Sequence, residues 1–420
     1  MRNNFLLMGI AALSLFGCSQ KKTITDDSAW LRNGIETAQF QLKMTAEAID
    51  SKNIQDTAVF PRSILNPKPM AEKNPQNWID SLRLEKPRDW TSGFFPGSMW
   101  LAYELTGDDT LKQEARKYTE LLSDLQYYTG THDLGFMVFC SFGNAYRLAP
   151  EAGDSAIIVN ASKSLASRYN PQKGVIRSWD FGEWTYPVII DNMMNLEMLF
   201  WASQATQDST FRNIAITHAD NTMKFHYRPD MSCCHVVDYI DPTNDITKQM
   251  TYQGYSDSST WARGQAWGLY GYTLCFEETN HSAYLERAQQ IAKFIMENPA
   301  IPEDLIPYWD YNAPTIPDAP RDASAAAVTA SALFELSTLV ENGQTYFDYA
   351  EKIIKELSTP NYLAEKGTNN GFILKHSTGS LPHGSEIDVP LNYADYYYLE
   401  ALKRYIKLKN IDSKALLSQK

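Results

Sequence analysis

Basic runs are missing from this sequence. Its 38 Lys and Arg are outnumbered by 50 Asp and Glu, the formal charge is −12, and no basic stripe interrupts the acidic background. Nucleic acid is thereby excluded as a partner, because the counterion release that drives such binding has no source. Cysteine is also scarce, five residues in 420. Cys140, Cys233, Cys234 and Cys275 have neither metal-ligand nor redox spacing, and a bridge between the neighbours Cys233 and Cys234 would be strained. They are expected to be free and structural. Past the first twenty residues no segment is apolar enough to span a bilayer. Alternating β-branched segments are few as well, which argues for an all-α fold.

The N-terminus reads as a targeting segment. Arg2 supplies the positive end, Phe5 to Phe16 an apolar run too short to cross a membrane, and Leu15-Phe16-Gly17-Cys18 a cleavage site. The expected organisation is a lipoprotein-type signal peptide at 1–18, a linker at 19–27, one barrel domain at 28–410 and a polar tail at 411–420. Cys18 would carry the lipid. The protein would then be exported to the periplasm or the outer membrane and touch a membrane only through that anchor.

From residue 28 onward, helical patterns alternate with Gly, Pro and Asp breaks, predicting helices over 27–48, 95–106, 110–127, 134–148, 153–168, 190–205, 209–227, 261–279, 282–298, 321–340, 344–358 and 391–408. They fall into pairs. Five times a helix of small and aromatic residues meets a short polar turn and an amphipathic partner, as in GSMWLAYELTGDDTLKQEARKY and GQAWGLYGYTLCFEETNHSAYLERAQQIA. The last helix lacks a follower and the first lacks a leader, so pairing them closes a ring of six inner and six outer helices, an (α/α)6 barrel. An open solenoid is the alternative, since periodicity does not prove closure.

Unusual residues gather at or just before the inner helices: Trp90 to Gly93, His132-Asp133, Asp191-Asn192, Trp261 to Gln265, Arg321-Asp322 and Asn392. Parallel inner helices would bring them to one mouth. For Asp322, ahead of Ala323 to Ala327, helix capping is the simpler explanation. Asp133 and Asp191 sit in apolar segments, THDLGFM and VIIDNMMN, where a carboxylate needs a partner or a task. Arg263 and Trp267 are four apart on one helical face, and a planar cation beside an indole suits a uronate. A merely structural Arg–Trp stack is the dull reading. The ten Trp and 24 Tyr offer flat platforms for sugar faces, or ordinary core packing.

Taken in order, DWTSGFFPGSMWLAYELTGD, THDLGFM, IRSWD, VIIDNMMNLEMLFWAS, HVVDY, QGYSDSSTWARGQAWGLYGYT, RDASAAAVTASAL and VPLNYADYYYLEAL resemble the unsaturated glucuronyl hydrolases of glycoside hydrolase family 88, over nearly the whole chain after the signal. The resemblance implies an (α/α)6 barrel without metal or organic cofactor, and substrates that are unsaturated uronate oligosaccharides. It implies Asp191 as general acid and base and Asp133 as the second essential acid. His235 and Gln253 match polar residues around the sugar and the attacking water. Trp90, His132, Trp179, Arg263 and Trp267 match substrate contacts. Periodicity alone would leave His235 an ordinary loop histidine.

The chemistry so implied differs from ordinary glycosidases, which attack the anomeric carbon with two carboxylates. In a Δ4,5-unsaturated uronate the ring oxygen and the C4=C5 bond form a vinyl ether. Asp191 would protonate C4, water activated by the resulting carboxylate would add at C5, and the hemiketal would open and expel the remaining sugar. Asp133 is expected to hold Asp191 protonated by like-charge repulsion. Alternatives are an unsaturated rhamnogalacturonyl hydrolase acting on pectin fragments, a polysaccharide lyase, and a surface lipoprotein that only binds glycans. In family members that favour sulfated sugars a Ser/Lys cluster precedes the last helix; here Ser377 and Ser380 are present but Pro382 stands where the Lys is expected.

Overall fold

The structure, a computed structural model, describes residues 28–52, 58–65, 78–241 and 246–418. Cys18 and the expected signal peptide and linker lie outside them.

In chain order the helices are α1 (Ala29–Ser51), α2 (Phe94–Thr106), α3 (Asp109–Glu120), α4 (Asn144–Leu148), α5 (Asp154–Ala166), α6 (Leu196–Thr206) and α7 (Ser209–Phe225). They continue as α8 (Ala262–Thr279), α9 (Ser282–Met296), α10 (Ala323–Leu339), α11 (Gln344–Leu357), α12 (Asn392–Lys409) and α13 (Ser413–Ser418). Two inner helices begin in other geometries: a π-helical stretch, Gly135–Gly143, leads into α4, and a 3-10 turn, Ile190–Asn195, leads into α6. Wide turns of the first kind are often found beside functional sites.

Burial separates two rings. On α8, Ala262 to Cys275 are buried without interruption, as are Ala323 to Phe334 on α10 and Asn392 to Leu402 on α12. By contrast α9 buries Tyr284, Ala288, Ile291, Ala292 and Ile295, and α11 buries Phe347, Ala350, Ile353, Ile354 and Leu357. That i, i+3/i+4, i+7 stripe is what an outer helix needs, and an uninterrupted run is what an inner one needs. The inner series α2, α4 with its π-helical lead, α6, α8, α10 and α12 closes, because α12 packs on α2 while α1 lies against both. Closure leaves no solenoid end exposed.

Local chemistry sets each inner-to-outer reversal. Thr106, Thr206 and Thr279 bond back through Oγ1 to the carbonyls of Ala102, Ala202 and Cys275, which satisfies a terminal acceptor. The following Gly107, Gln207 and Asn280 take left-handed φ of 72°, 58° and 57°. Asp108 and Asp208 then cap the next helix by accepting from Thr110 N–H and Thr210 N–H, each at 2.9 Å. Gly93 is required for another reason: any Cβ there would run into the carbonyls of Phe136 and Met137. The chain before α2 therefore packs directly on the backbone of its neighbour.

Three departures from the sequence reading matter. Residues 413–418, expected to be part of a polar tail, form α13, with Leu416 fully buried. The region 110–127 breaks after Glu120 and resumes as a short 3-10 turn, Ser123–Tyr127. Short strands also occur: β1 (Phe60–Ile64) pairs with β2 (Leu82–Glu85), β3 (Tyr169–Asn170) with β4 (Val175–Ile176), and β5 (Pro187–Ile189), β6 (Val236–Asp241) and β7 (Ile246–Met250) form an antiparallel sheet in that order. β3, β4 and β5 are too short for a period-two signal, the longer β1, β6 and β7 do not alternate in burial, and β5 finds its partner far along the chain. The four cysteines of the described residues are free and buried, as expected. No described helix is long and apolar enough to cross a membrane.

Candidate active site

The unusual residues do converge on one mouth, where a chain of ring contacts joins segments distant in sequence. Trp179 meets His235 at 5.8 Å, and His235 meets Trp261 at 4.7 Å. Arg263 lies over Trp261 and Tyr393, and Tyr393 packs on Trp90 at 5.0 Å. Trp90 in turn contacts Phe136, whose ring packs on Trp267 at 5.3 Å.

Asp191 is at the centre, in the 3-10 turn before α6, with 6% of its surface exposed. The turn is anchored by Ile190 N–H donating to the carbonyl of His235. Burial pushes the Asp191 carboxyl up to about 7; the Arg263 charge opposes this, and the charge of Asp133 adds to it. The sequence reading gave Asp133 the leading part in that rise. Desolvation takes it instead, because the turn places the carboxyl inside the barrel wall.

The proton of His235 can be located by elimination. Backbone N–H groups of Tyr252 and Gln253 donate to Nδ1 at 3.1 and 3.0 Å, so Nδ1 must accept. Burial holds the ring pKa well below its usual value, with the Arg263 charge adding to the effect, so the imidazole is neutral. Its proton is therefore on Nε2, 3.8 Å from Asp191 Oδ2. Asp191 Oδ2, His235 Nε2, Trp267 Nε1 and Tyr393 Oη are all buried without a bonded partner among the described residues. Groups left in this state in a folded protein call for an explanation, and a shared ligand site supplies one.

Asp133 is held from behind. Thr131 Oγ1 donates to its Oδ2 at 2.6 Å, and His132 Nε2 lies 3.2 Å from Oδ1. His132 itself is fully buried and kept neutral by desolvation. Neither of its ring nitrogens has a bonded partner among the described residues, although Nε2 lies close to the Asp133 carboxylate. Gln253, half-buried, donates to the carbonyl of Gly379 at 3.3 Å. Trp90 and Trp179 are partly exposed and can present a face to a ligand.

Arg263 and Trp267 are more enclosed than an open subsite would leave them. They lie on one face of α8, but that face is sealed, with 1% and 0% exposure. Arg263 donates from Nη1 to Asp322 Oδ2 and the carbonyl of Thr378, both at 2.7 Å, and from Nη2 to the carbonyl of Gly379 at 2.6 Å. Both terminal nitrogens are engaged by the protein while Nε has no bonded partner among the described residues, so the guanidinium pins the loop before α12 onto the barrel. Trp267 forms the floor. Its N–H opposes the rise of the Asp191 pKa without reaching a well-formed hydrogen bond. Asp322 caps α10, as expected from the sequence: its Oδ1 accepts from the N–H groups of Ser324 and Ala325.

Sequence reasoning missed Tyr252 and Tyr393. Tyr252 packs against Trp179, Phe181 and Trp184 and lies 4.2 Å from the His383 ring, joining the aromatic wall to the loop before α12. Its position beside Gln253 was the only signal. Tyr393 follows Asn392 in the first turn of α12, and its phenol was hidden among the neighbouring tyrosines of YADYYY.

A closed barrel of helix pairs with a buried high-pKa carboxyl, a second carboxylate and an aromatic wall at one mouth defines a carbohydrate-active enzyme of the (α/α)6 class. The comparisons narrow this: the family model for Glycosyl Hydrolase Family 88 matches residues 65–405, and the chain belongs to that family. An unsaturated glucuronyl hydrolase from Formosa agariphila is 48% identical over 320 residues, 76% of this chain and 80% of the relative. One from Bacillus sp. strain GL1 is 33% identical, covering 75% of this chain and 86% of its own length. The crystal structure of an unsaturated glucuronyl hydrolase specific for heparin superposes with a TM-score of 0.85 at 49% identity, covering 92% of this chain and all of the other.

Proposed function

We propose that the chain removes a Δ4,5-unsaturated glucuronic acid from the non-reducing end of oligosaccharides left by polysaccharide lyases, by hydrating the C4=C5 bond. The observation that carries this is Asp191, a carboxyl pushed to about 7 by burial, with Oδ2 unbonded beside the Nε2 proton of His235. A carboxyl poised near neutrality can give a proton and take one back, as the reaction needs. Asp191 delivers its proton to C4. The carboxylate so formed takes a proton from water as the water adds at C5, and the hemiketal then opens to release the remaining sugar. His235 contributes a fixed donor, Asp133 a second carboxylate, and Trp90 and Trp179 the walls. The named relatives support the unsaturated glucuronyl substrate.

Isotopes test the route. In deuterated water a C–D bond should form at C4, and in heavy-oxygen water the label should enter at C5 before the carbonyl exchanges. Label at the anomeric carbon with C4 untouched would mean direct hydrolysis and would sink the proposal. A saturated glucuronide should remain uncleaved. Unsaturated disaccharides from glycosaminoglycans and from pectin, sulfated and unsulfated, would rank the natural substrates.

Export as a lipoprotein through Cys18 is part of the same reading and rests on the apolar run of residues 5–16 and the Leu-Phe-Gly-Cys sequence after it. Cys18→Ala should move the protein from the membrane fraction to the soluble one with activity intact. A variant that stays membrane-bound would refute the anchor.

A further inference from the structure

The barrel has a second interior space. Below the catalytic floor lies a cavity of about 410 Å3, within the range of small-ligand sites, running between α4, α6 and α12 toward the opposite mouth. Phe136 and Tyr397 belong to its lining, and both pack on Trp267 at 5.3 Å. That aromatic layer stands between the cavity and Asp191.

The charges around this cavity fall into two groups. Arg147 is taken up by both Glu104 oxygens, at 2.7 and 2.6 Å. Arg404 donates to the Ser331 carbonyl and the Tyr270 hydroxyl, and Glu400 accepts from Ser331 Oγ and Tyr270 Oη. Glu197 on α6 and Lys403 on α12 also line the cavity, yet each acts on its neighbours through its charge, with no hydrogen bond or close ion pair among the described residues. Beside Glu197, one turn further along α6, Trp201 is partly exposed and braced edge-on by Tyr146 at 5.3 Å. An acceptor, a donor and an indole around a space of this size match the demands of a sugar ring: hydroxyls that bond to both polar groups and a C–H face for the aromatic. A neutral ring adds no further charge to a cavity that already holds several ionisable groups. Burial and the Glu400 charge also push Glu197 up to about 7, so its carboxyl can serve hydroxyls as acceptor or as donor.

We propose that this lower cavity is a second carbohydrate site that binds one neutral, hexose-sized sugar between Glu197, Lys403 and Trp201, separately from the catalytic mouth. It does not depend on the chemistry assigned to Asp191. The probe is N-acetylglucosamine, titrated calorimetrically into the intact protein, with glucuronate and glucosamine as charged comparisons. Saturable binding in the millimolar range is expected, weaker for both charged sugars, and about tenfold weaker in Lys403→Met and in Glu197→Gln, the loss of a hydrogen bond to a charged group. Turnover of an unsaturated disaccharide should be unchanged in Lys403→Met. No saturable binding, binding in both variants as tight as in the parent, or loss of binding in Trp179→Ala at the catalytic mouth would each overturn the proposal. A crystal soaked with N-acetylglucosamine gives a reading that does not depend on how the variants fold: sugar density beside Trp201 supports the site, and its absence from the cavity refutes it.

Discussion

Two buried aspartates at the starts of inner helices, Asp191 before α6 and Asp322 before α10, have opposite surroundings. Asp322 is fully enclosed and fully bonded: Ser324 Oγ and the N–H groups of Ser324 and Ala325 donate to Oδ1, and Arg263 donates to Oδ2. Asp191 is nearly as buried, yet its Oδ2 has no bonded partner among the described residues. Burial does not distinguish a working carboxyl from a structural one. The distinction lies in whether the protein itself has satisfied the oxygens, since a satisfied carboxylate is held in place and an unsatisfied one is left for a ligand.

The sharpest test of the contrast is Asp191→Asn, which should cost about ten-thousand-fold in turnover while the barrel stays folded. Steady-state kinetics with thermal melts would check both halves, and near-normal turnover would remove the distinction. Next, Arg263→Ala should destabilise the protein by about 3–5 kcal/mol, because Asp322 is left as an unpaired buried charge. Denaturant unfolding would measure this; a variant of normal stability with only KM raised would restore Arg263 as a uronate clamp.

Proton linkage gives a third, smaller effect. Asp191 goes from 3.8 to about 7 on folding, so the folded state prefers its protonated form. The stability tied to that proton is whole below 3.8, falls as pH rises, and is gone above about 7. Asn cannot lose such a proton. The melting temperature of Asp191→Asn relative to the parent should therefore climb from pH 4 to about 7 and then level off; a flat difference would mean that Asp191 is not held protonated. Turnover should decline above about pH 7 for the same reason. The smallest effect belongs to a residue outside both regions: Asp108→Ala, which removes the α3 cap, should cost about 1 kcal/mol and leave kinetics unchanged.

Much of the barrel was legible because each pair repeats one local rule, a helix apolar on all sides, a polar turn, then a helix with one apolar stripe. The clustering at one mouth followed from parallel inner helices. Asp191 and Asp133 stood out because a carboxylate in an apolar run is costly. Tyr252, Tyr393 and the sheet of β5, β6 and β7 did not stand out, since nothing in their local sequence separates them from packing residues.

What the sequence by itself determined is therefore the helix pairs and the carboxylates at the starts of the inner helices, properties of local periodicity and of polarity out of place, while closure into a ring was shown by the packing of α12 on α2. Direction and satisfaction were decided only by the tertiary structure. Arg263 and Trp267 share a helical face in sequence, but which way that face turns depends on a loop 115 residues away, whose Thr378 carbonyl accepts from the guanidinium. The His235 proton is likewise placed on Nε2 by backbone N–H groups 17 and 18 residues along the chain. A hydrogen bond between distant segments leaves no periodic trace in either, so the state of such a side chain becomes definite only when the fold brings them together.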